Sequence, residues 1–212
     1  MTTMRRGFTL IELMVVGAIA VVLLLLAAPS FRQMIEMQRL RAVGAQVVTD
    51  IHYARSEAPS RQRKVYFRYV ADGTSPSGVL MSCYILYTCP TDDACSPCTC
   101  TAAVGNRCTN GAEELRTQQV ERSLGVRLSV VPAGSDPRPS VLSFEPATGG
   151  LELYYSTPLG LSLPGTGTAW IESALLNPEL APTLRTEVAV SGRPNMCAPG
   201  GRVSGVAPCA TP

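Results

Sequence analysis

The chain has 212 residues and a mass of 22.5 kDa, room for one ordinary domain with an appendage but hardly for two. Charged residues make up 16% and apolar residues 46%, which excludes a disordered acidic or basic tail protein and concentrates attention on where the apolar content sits. A net charge of +2 is too balanced to mark a nucleic-acid binder by composition, and the excess of Arg over the single Lys64 is what genomic base composition produces.

Behind a short basic leader, Met1 to Gly7, runs Phe8 to Ala28, whose sole charge is Glu12. As a helix rising about 1.5 Å per residue, this stretch spans roughly 32 Å, about one hydrocarbon core. It continues without a break into an amphipathic helix, so removal behind the apolar run, as for a secretory signal, is not expected. Arg5 and Arg6 precede it, but Arg32, Arg39 and Arg41 follow closely, and charge alone sets the orientation weakly. A carboxylate inside an apolar helix is expensive in lipid and marks a functional group with a partner. Pro29 removes a helical N–H and crowds the preceding turn, which predicts a kink or local melting. Leu40, Val43, Val47, Ile51 and Ala54 then step by three or four residues, an apolar stripe that should pack on a globular head. Pro59 should stop this helix near Ala58.

The string GFTLIELMVV, Gly7 to Val16, resembles the processing and assembly signature of type IV pilins and of the pseudopilins of type II secretion. That resemblance implies cleavage by a prepilin peptidase between Gly7 and Phe8, methylation of the new N-terminus, and pairing of Glu12 with the amine of Phe8 on a neighbouring subunit. A proline at the place of Pro29 also resembles the family pattern. Thr49 to Arg61, TDIHYARSEAPSR, is similar to the helix end of the GspH/FimT branch, and Ser140 to Gly150 and Leu184 to Arg193 resemble its later strand segments. The stretch from Cys83 to Cys108 departs from that branch.

Beyond the helix, seven short β-branched or aromatic runs alternate with Gly, Pro, Asp and Ser: 64–70, 78–87, 125–131, 140–144, 151–155, 168–174 and 184–190. They predict antiparallel sheets wrapped on the helix, a fold class of α+β that the resemblance makes type IV pilin-like. The expected organisation is a leader at 1–7, a membrane-spanning or filament-core helix at 8–28, its amphipathic continuation at 29–58 and a β-rich periplasmic head at 59–212. Cys83, Cys89, Cys95, Cys98, Cys100, Cys108, Cys197 and Cys209 all lie in that head. An even count beyond a membrane span argues for disulfides in an oxidising compartment. The rival is a metal site built on Cys95-x-x-Cys98, but no second C-x-x-C pair follows, and no metal is expected. About a hundred pairings are open; Cys197 with Cys209, closing a Gly/Pro-rich tail, is the favoured one. The other six should brace the loop after the second strand.

No catalytic residue or cofactor is expected. His52 is the single histidine, and it lies on the long helix, away from any nucleophile motif; LPGTGT at 163–168 lacks the Lys of a phosphate cradle; Asp92 and Asp93 read as a solvated turn. DNA-binding minor pilins of the FimT kind carry a C-terminal Gly-Arg-x-Arg element, which Gly192-Arg193 and Gly201-Arg202 match only in their first half. Asn195 and Ser204 stand where the second Arg would be, so Arg193 and Arg202 offer few phosphate contacts. Arg61, Arg63, Lys64 and Arg68 form a second basic stretch, equally explained by a solvated edge strand.

The leading expectation is a minor type IV pilin that primes or joins pilus assembly after peptidase cleavage. It would span the bacterial inner membrane once, with a periplasmic C-terminal head, and then enter the pilus. A type II secretion pseudopilin in a pseudopilus and a DNA-binding minor pilin are the alternatives. The implied partners are the prepilin peptidase, other major and minor pilins or pseudopilins, the inner membrane and, for the last alternative, DNA.

Overall fold

The computed structural model describes residues 9–91, 98–131, 139, 141–156, 162–165, 167–177, 182–201 and 203–210. Among these residues the first element is the helix α1, Leu10–Arg61, followed by ten strands: β1 Val65–Thr74, β2 Leu80–Thr88, β3 Glu113–Glu121, β4 Val126–Val131, β5 Val141–Phe144, β6 Leu151–Ser156, β7 Ser162–Gly165, β8 Ala169–Leu175, β9 Thr183–Val188 and β10 Pro194–Cys197. The chain divides into two compact units, residues 1–38 and residues 39–212.

At the start of α1 the Thr9 hydroxyl accepts the Glu12 N–H at 3.3 Å, the N-cap geometry that satisfies one orphan donor of the first turn. The backbone stays helical through position 29, so the local melting expected at Pro29 does not occur. Nor does Pro59 end the helix at Ala58. Three more residues follow, and Gln62 then takes a left-handed conformation (φ 53°) while Arg63 N–H reaches Ala58 C=O and Gln62 N–H reaches Pro59 C=O. This is a Schellman stop, and it needs no proline.

From Leu40 onward α1 has a buried face. Leu40, Val47, Ile51, Ala54 and Ala58 are fully buried and Val43 half-buried, which is the predicted stripe extended by one turn. Gly44 lies on the same face, where a Cβ would stand 3.1 Å from Met196 Sδ and 3.3 Å from Leu184 Cδ1; its lack of a side chain sets how closely the helix approaches β9 and β10.

All strand pairings are antiparallel. One sheet runs β3-β2-β1-β5-β6-β7 and the other β10-β9-β8-β4. The sheets meet where β4 lies against β1 and β2, and Ser82 Oγ accepts the Leu128 N–H at 2.9 Å across that seam. Strands β4, β8 and β9 alternate buried and half-buried residues, the pattern of a sheet with one covered face. β2 differs, being buried at every position after Leu80. Its Tyr84 lies on the side facing α1, where it stacks on Phe67 of β1 at 4.8 Å between ring centroids. Its odd positions, Met81, Cys83, Ile85 and Tyr87, join Tyr66, Cys89, Cys98 and Cys100 in a second small core on the opposite side. Burial there pushes the Tyr87 hydroxyl up to about 12, against the opposing pull of Arg68.

The seven predicted strands are present, and three were missed, β3, β7 and β10. All three are sheet edges. An edge strand has one neighbour and tolerates polar residues, Pro and Gly, so EELRTQQVE, SLPG and PNMC carry little strand signal. One further expectation is corrected: β1, with its basic residues, is no edge strand but lies between β2 and β5.

Candidate functional site: an uncovered apolar helix and a convergent helix end

Residues 10–25 form one long apolar cylinder. Its large side chains from Leu10 to Leu25 are 52–79% exposed, and α1 carries a window of mean hydropathy 2.9, long and apolar enough to cross a membrane. Glu12 sits exposed in the first turn of that cylinder, where a carboxylate complements the helix dipole. Gly7 and Phe8 lie outside the described residues, as do Asp92, Asp93, Cys95 and Arg202.

At its other end α1 is held to the head through Asp50, which is completely buried. Its Oδ2 accepts the Tyr84 hydroxyl at 2.6 Å, and its Oδ1 accepts Gln46 Nε2 at 3.0 Å and Arg116 Nη1 of β3. Arg116 also lies over the Tyr53 ring, 4.6 Å from its centroid. Burial, and then the bond to Asp50, lift the Tyr84 hydroxyl far above its ordinary range, so it stays a donor. A helix, an inner strand and an edge strand are thereby fixed on one carboxylate.

One turn further on, segments far apart in sequence meet at Arg55. Its side chain lies along Gly149, in the turn between β5 and β6, and Gly192, in the turn between β9 and β10. A Cβ on Gly149 would come within 2.9 Å of Arg55 Cγ, and one on Gly192 would stand 2.1 Å from Gly149 O. Both glycines have positive φ, 65° and 74°. The turns are closed by Gly149 N–H to Glu145 C=O at 2.8 Å and Gly192 N–H to Ala189 C=O at 2.7 Å, and Leu151 N–H joins them through Val190 C=O at 2.8 Å. His52, Arg55, Ser56, Pro59, Thr148 and Gly149 line a cleft of about 340 Å³ beside this junction. His52 faces no activated nucleophile there, because the Ser56 hydroxyl donates to Tyr53 C=O at 2.9 Å.

The basic stretch that follows the helix is largely committed to carboxylates and carbonyls. Arg61 pairs with Glu57 and Glu113, Lys64 with Glu145 and Glu152 at 3.0 Å each, and Arg68 Nη1 donates to Cys98 C=O at 2.9 Å. Burial would lower the Lys64 ammonium, but its bonds to Glu152 and Glu145 hold it well above its usual value. Arg193 is exposed on the turn into β10.

The described cysteines are oxidised. Cys83 of β2 itself bonds Cys100, Cys98 bonds Cys108, and Cys197 bonds Cys209; Cys89 is also disulfide-bonded. Cys83–Cys100 ties the segment after β2 back onto that strand, and Cys98–Cys108 closes the segment on itself. Cys98, Cys100 and Cys108 are thus not thiolates that a metal would need. Glu187, Cys197 and Cys209 cluster as well, but two of the three are joined to each other. The tail closed by Cys197–Cys209 is tied to α1, since Arg41 Nη2 donates to both Ser204 O and Ser204 Oγ.

No protein-family profile and no curated protein matches the chain. Among solved structures, the chain is similar to the type IV minor pilin FimU of Pseudomonas aeruginosa (strain PAO1) in two crystal forms. Identity is 15% and 14%, TM-score 0.44 and 0.41, and the likeness covers 80% and 76% of this chain and 98% of the FimU chain in each.

Proposed function

We propose that the chain is a minor pilin-like subunit, made as an inner-membrane precursor, cleaved between Gly7 and Phe8 and methylated there, and drawn through α1 into the tip or priming complex of a type IV pilus. The observation that carries this reading is the apolar cylinder from Leu10 to Leu25, whose large side chains are exposed among the described residues. Lipid covers such a surface before assembly and the helices of neighbouring subunits cover it afterwards. Glu12 is the register device: as the single charge in the cylinder it stays in the filament core by meeting the amine of Phe8 on the next subunit. The head contributes contacts, not catalysis.

Deleting the gene should remove surface pili from the sheared fraction, and the uncleavable Gly7→Asp form should fail to restore them. Glu12→Ala should still insert in the membrane but fall about tenfold or more in incorporation, because an unpaired charge in hydrocarbon costs about 2.5–3.5 kcal/mol. Exoprotein release in the same strains should be unchanged. Normal pili in the deletion, with lost exoprotein release, would assign the chain to type II secretion instead.

A further inference from the structure

Arg55 has no counter-charge among the described residues. Among the described residues it makes no hydrogen bond or ion pair, and its Nε is buried with no acceptor. Neighbouring carboxylates are occupied, Glu57 by Arg61 and Glu145 by Lys64. The side chain is nonetheless held in place, since Gly149 and Gly192 leave the groove in which its stem lies. Arg41 and Arg127 also bury an Nε without an acceptor, but each donates through Nη2, to Ser204 and to Asp72, whereas Arg55 donates to no described residue.

We propose that the cleft lined by His52, Arg55, Ser56, Pro59, Thr148 and Gly149 binds a carboxylate carried by a neighbouring protein chain. The donors fit that ligand. A guanidinium presents a planar fork that matches a carboxylate. Thr148 Oγ accepts the Gly150 N–H at 3.0 Å and keeps its own proton to donate, and the exposed imidazole of His52 adds an N–H; Ser56 has already given its proton to Tyr53 C=O. One fixed positive charge balances a monoanion, whereas a phosphate would bring a second charge with no cation to meet it. A volume of about 340 Å³ exceeds a bare carboxylate and leaves room for the stem that carries it. This site stands independently of the pilus reading, because it is a property of the purified chain.

The test uses the full-length protein in detergent micelles, followed by 15N NMR at constant ionic strength. The probes are acetylglutamate amide for a side-chain carboxylate and acetylalanine for a chain-terminal one, with chloride and inorganic phosphate as the competing anions. A carboxylate probe should give saturable shifts of the Arg55 Nε–H and of the Thr148 and Gly149 amides, and the tighter of the two probes names the source. Arg55→Gln should weaken binding about tenfold or more, and Arg55→Lys less, since it keeps the charge but loses the fork. Ser56→Glu leaves Arg55 in place and tethers a carboxylate in the cleft; it should abolish the response without lowering Tm. Non-saturating shifts, equal shifts with chloride, tighter binding of phosphate, or an unchanged response in Arg55→Gln or Ser56→Glu would overturn the assignment.

Discussion

At the residue scale, Asp50 is the most consequential side chain in the head. Its carboxylate takes three donors in a place closed to water, so removing it strands the Tyr84 hydroxyl and deprives Arg116 of its partner. Arg116 is 40% exposed on its side chain and can recover hydration, which limits the loss. Asp50→Ala should therefore cost about 2–4 kcal/mol, read as a fall in Tm of roughly 6–12 °C, and Asp50→Asn should cost less because it keeps one acceptor oxygen. A thermal melt of the two variants checks this, and equal, negligible losses would show that the network is not what holds α1. Asp50 was visible in the sequence only as part of a family-like string. A lone Asp between Thr49 and Ile51 gives no sign of burial, because the groups that neutralise it come from β2 and β3.

At the element scale, the central position of β1 makes its basic start depend on pairing. Burial alone would lift Glu152, but the Lys64 ammonium outweighs it and holds that carboxyl below its usual range. A carboxyl depressed in the folded state contributes stability above its unfolded value near about 4.3, and loses it as pH falls through the folded value. The Lys64 ammonium is raised, so its share is complete below about pH 10.4 and fades only above that. Lys64→Met should thus lower stability by about 1–3 kcal/mol across neutral pH, and the deficit should shrink below about pH 4.3. Urea unfolding of both proteins from pH 3 to pH 8 measures it; a deficit constant down to pH 3 would exclude the pair as its cause. Element types followed from the chain wherever a strand has two neighbours and a hydrophobic run, as in LMSCYILYT. They failed at three of the four sheet edges, where EELRTQQVE, for one, is polar because solvent meets one side of it; β4, the fourth edge, was legible because VRLSVV alternates.

At the scale of the whole molecule, the two units differ in what buries them. Among the described residues, the buried hydrophobic ones all lie from Leu40 onward, and so do the disulfides. A chain beginning at Arg39 should accordingly be soluble without detergent and monomeric, keep the Cys83–Cys100, Cys98–Cys108 and Cys197–Cys209 bridges, and melt within about 3 °C of the full-length protein. Size-exclusion chromatography, mass mapping of the bridges and a thermal melt test this. Aggregation of that fragment would mean that residues before Arg39 complete the core.

Local pattern alone specifies the apolar cylinder with its single carboxylate, the stripe from Leu40 to Ala54, the inner strands and β4. Each is a periodic pattern written in neighbouring residues, and local patterns need no partner to be read. Long-range contacts bury β2 on both faces, select the bridges Cys83–Cys100 and Cys98–Cys108, carry helix α1 through Pro59 to a left-handed Gln62, and bring Arg55 to rest beside Gly149 and Gly192. These depend on contacts across dozens of residues, whose geometry is set by how the sheets and helix close on one another.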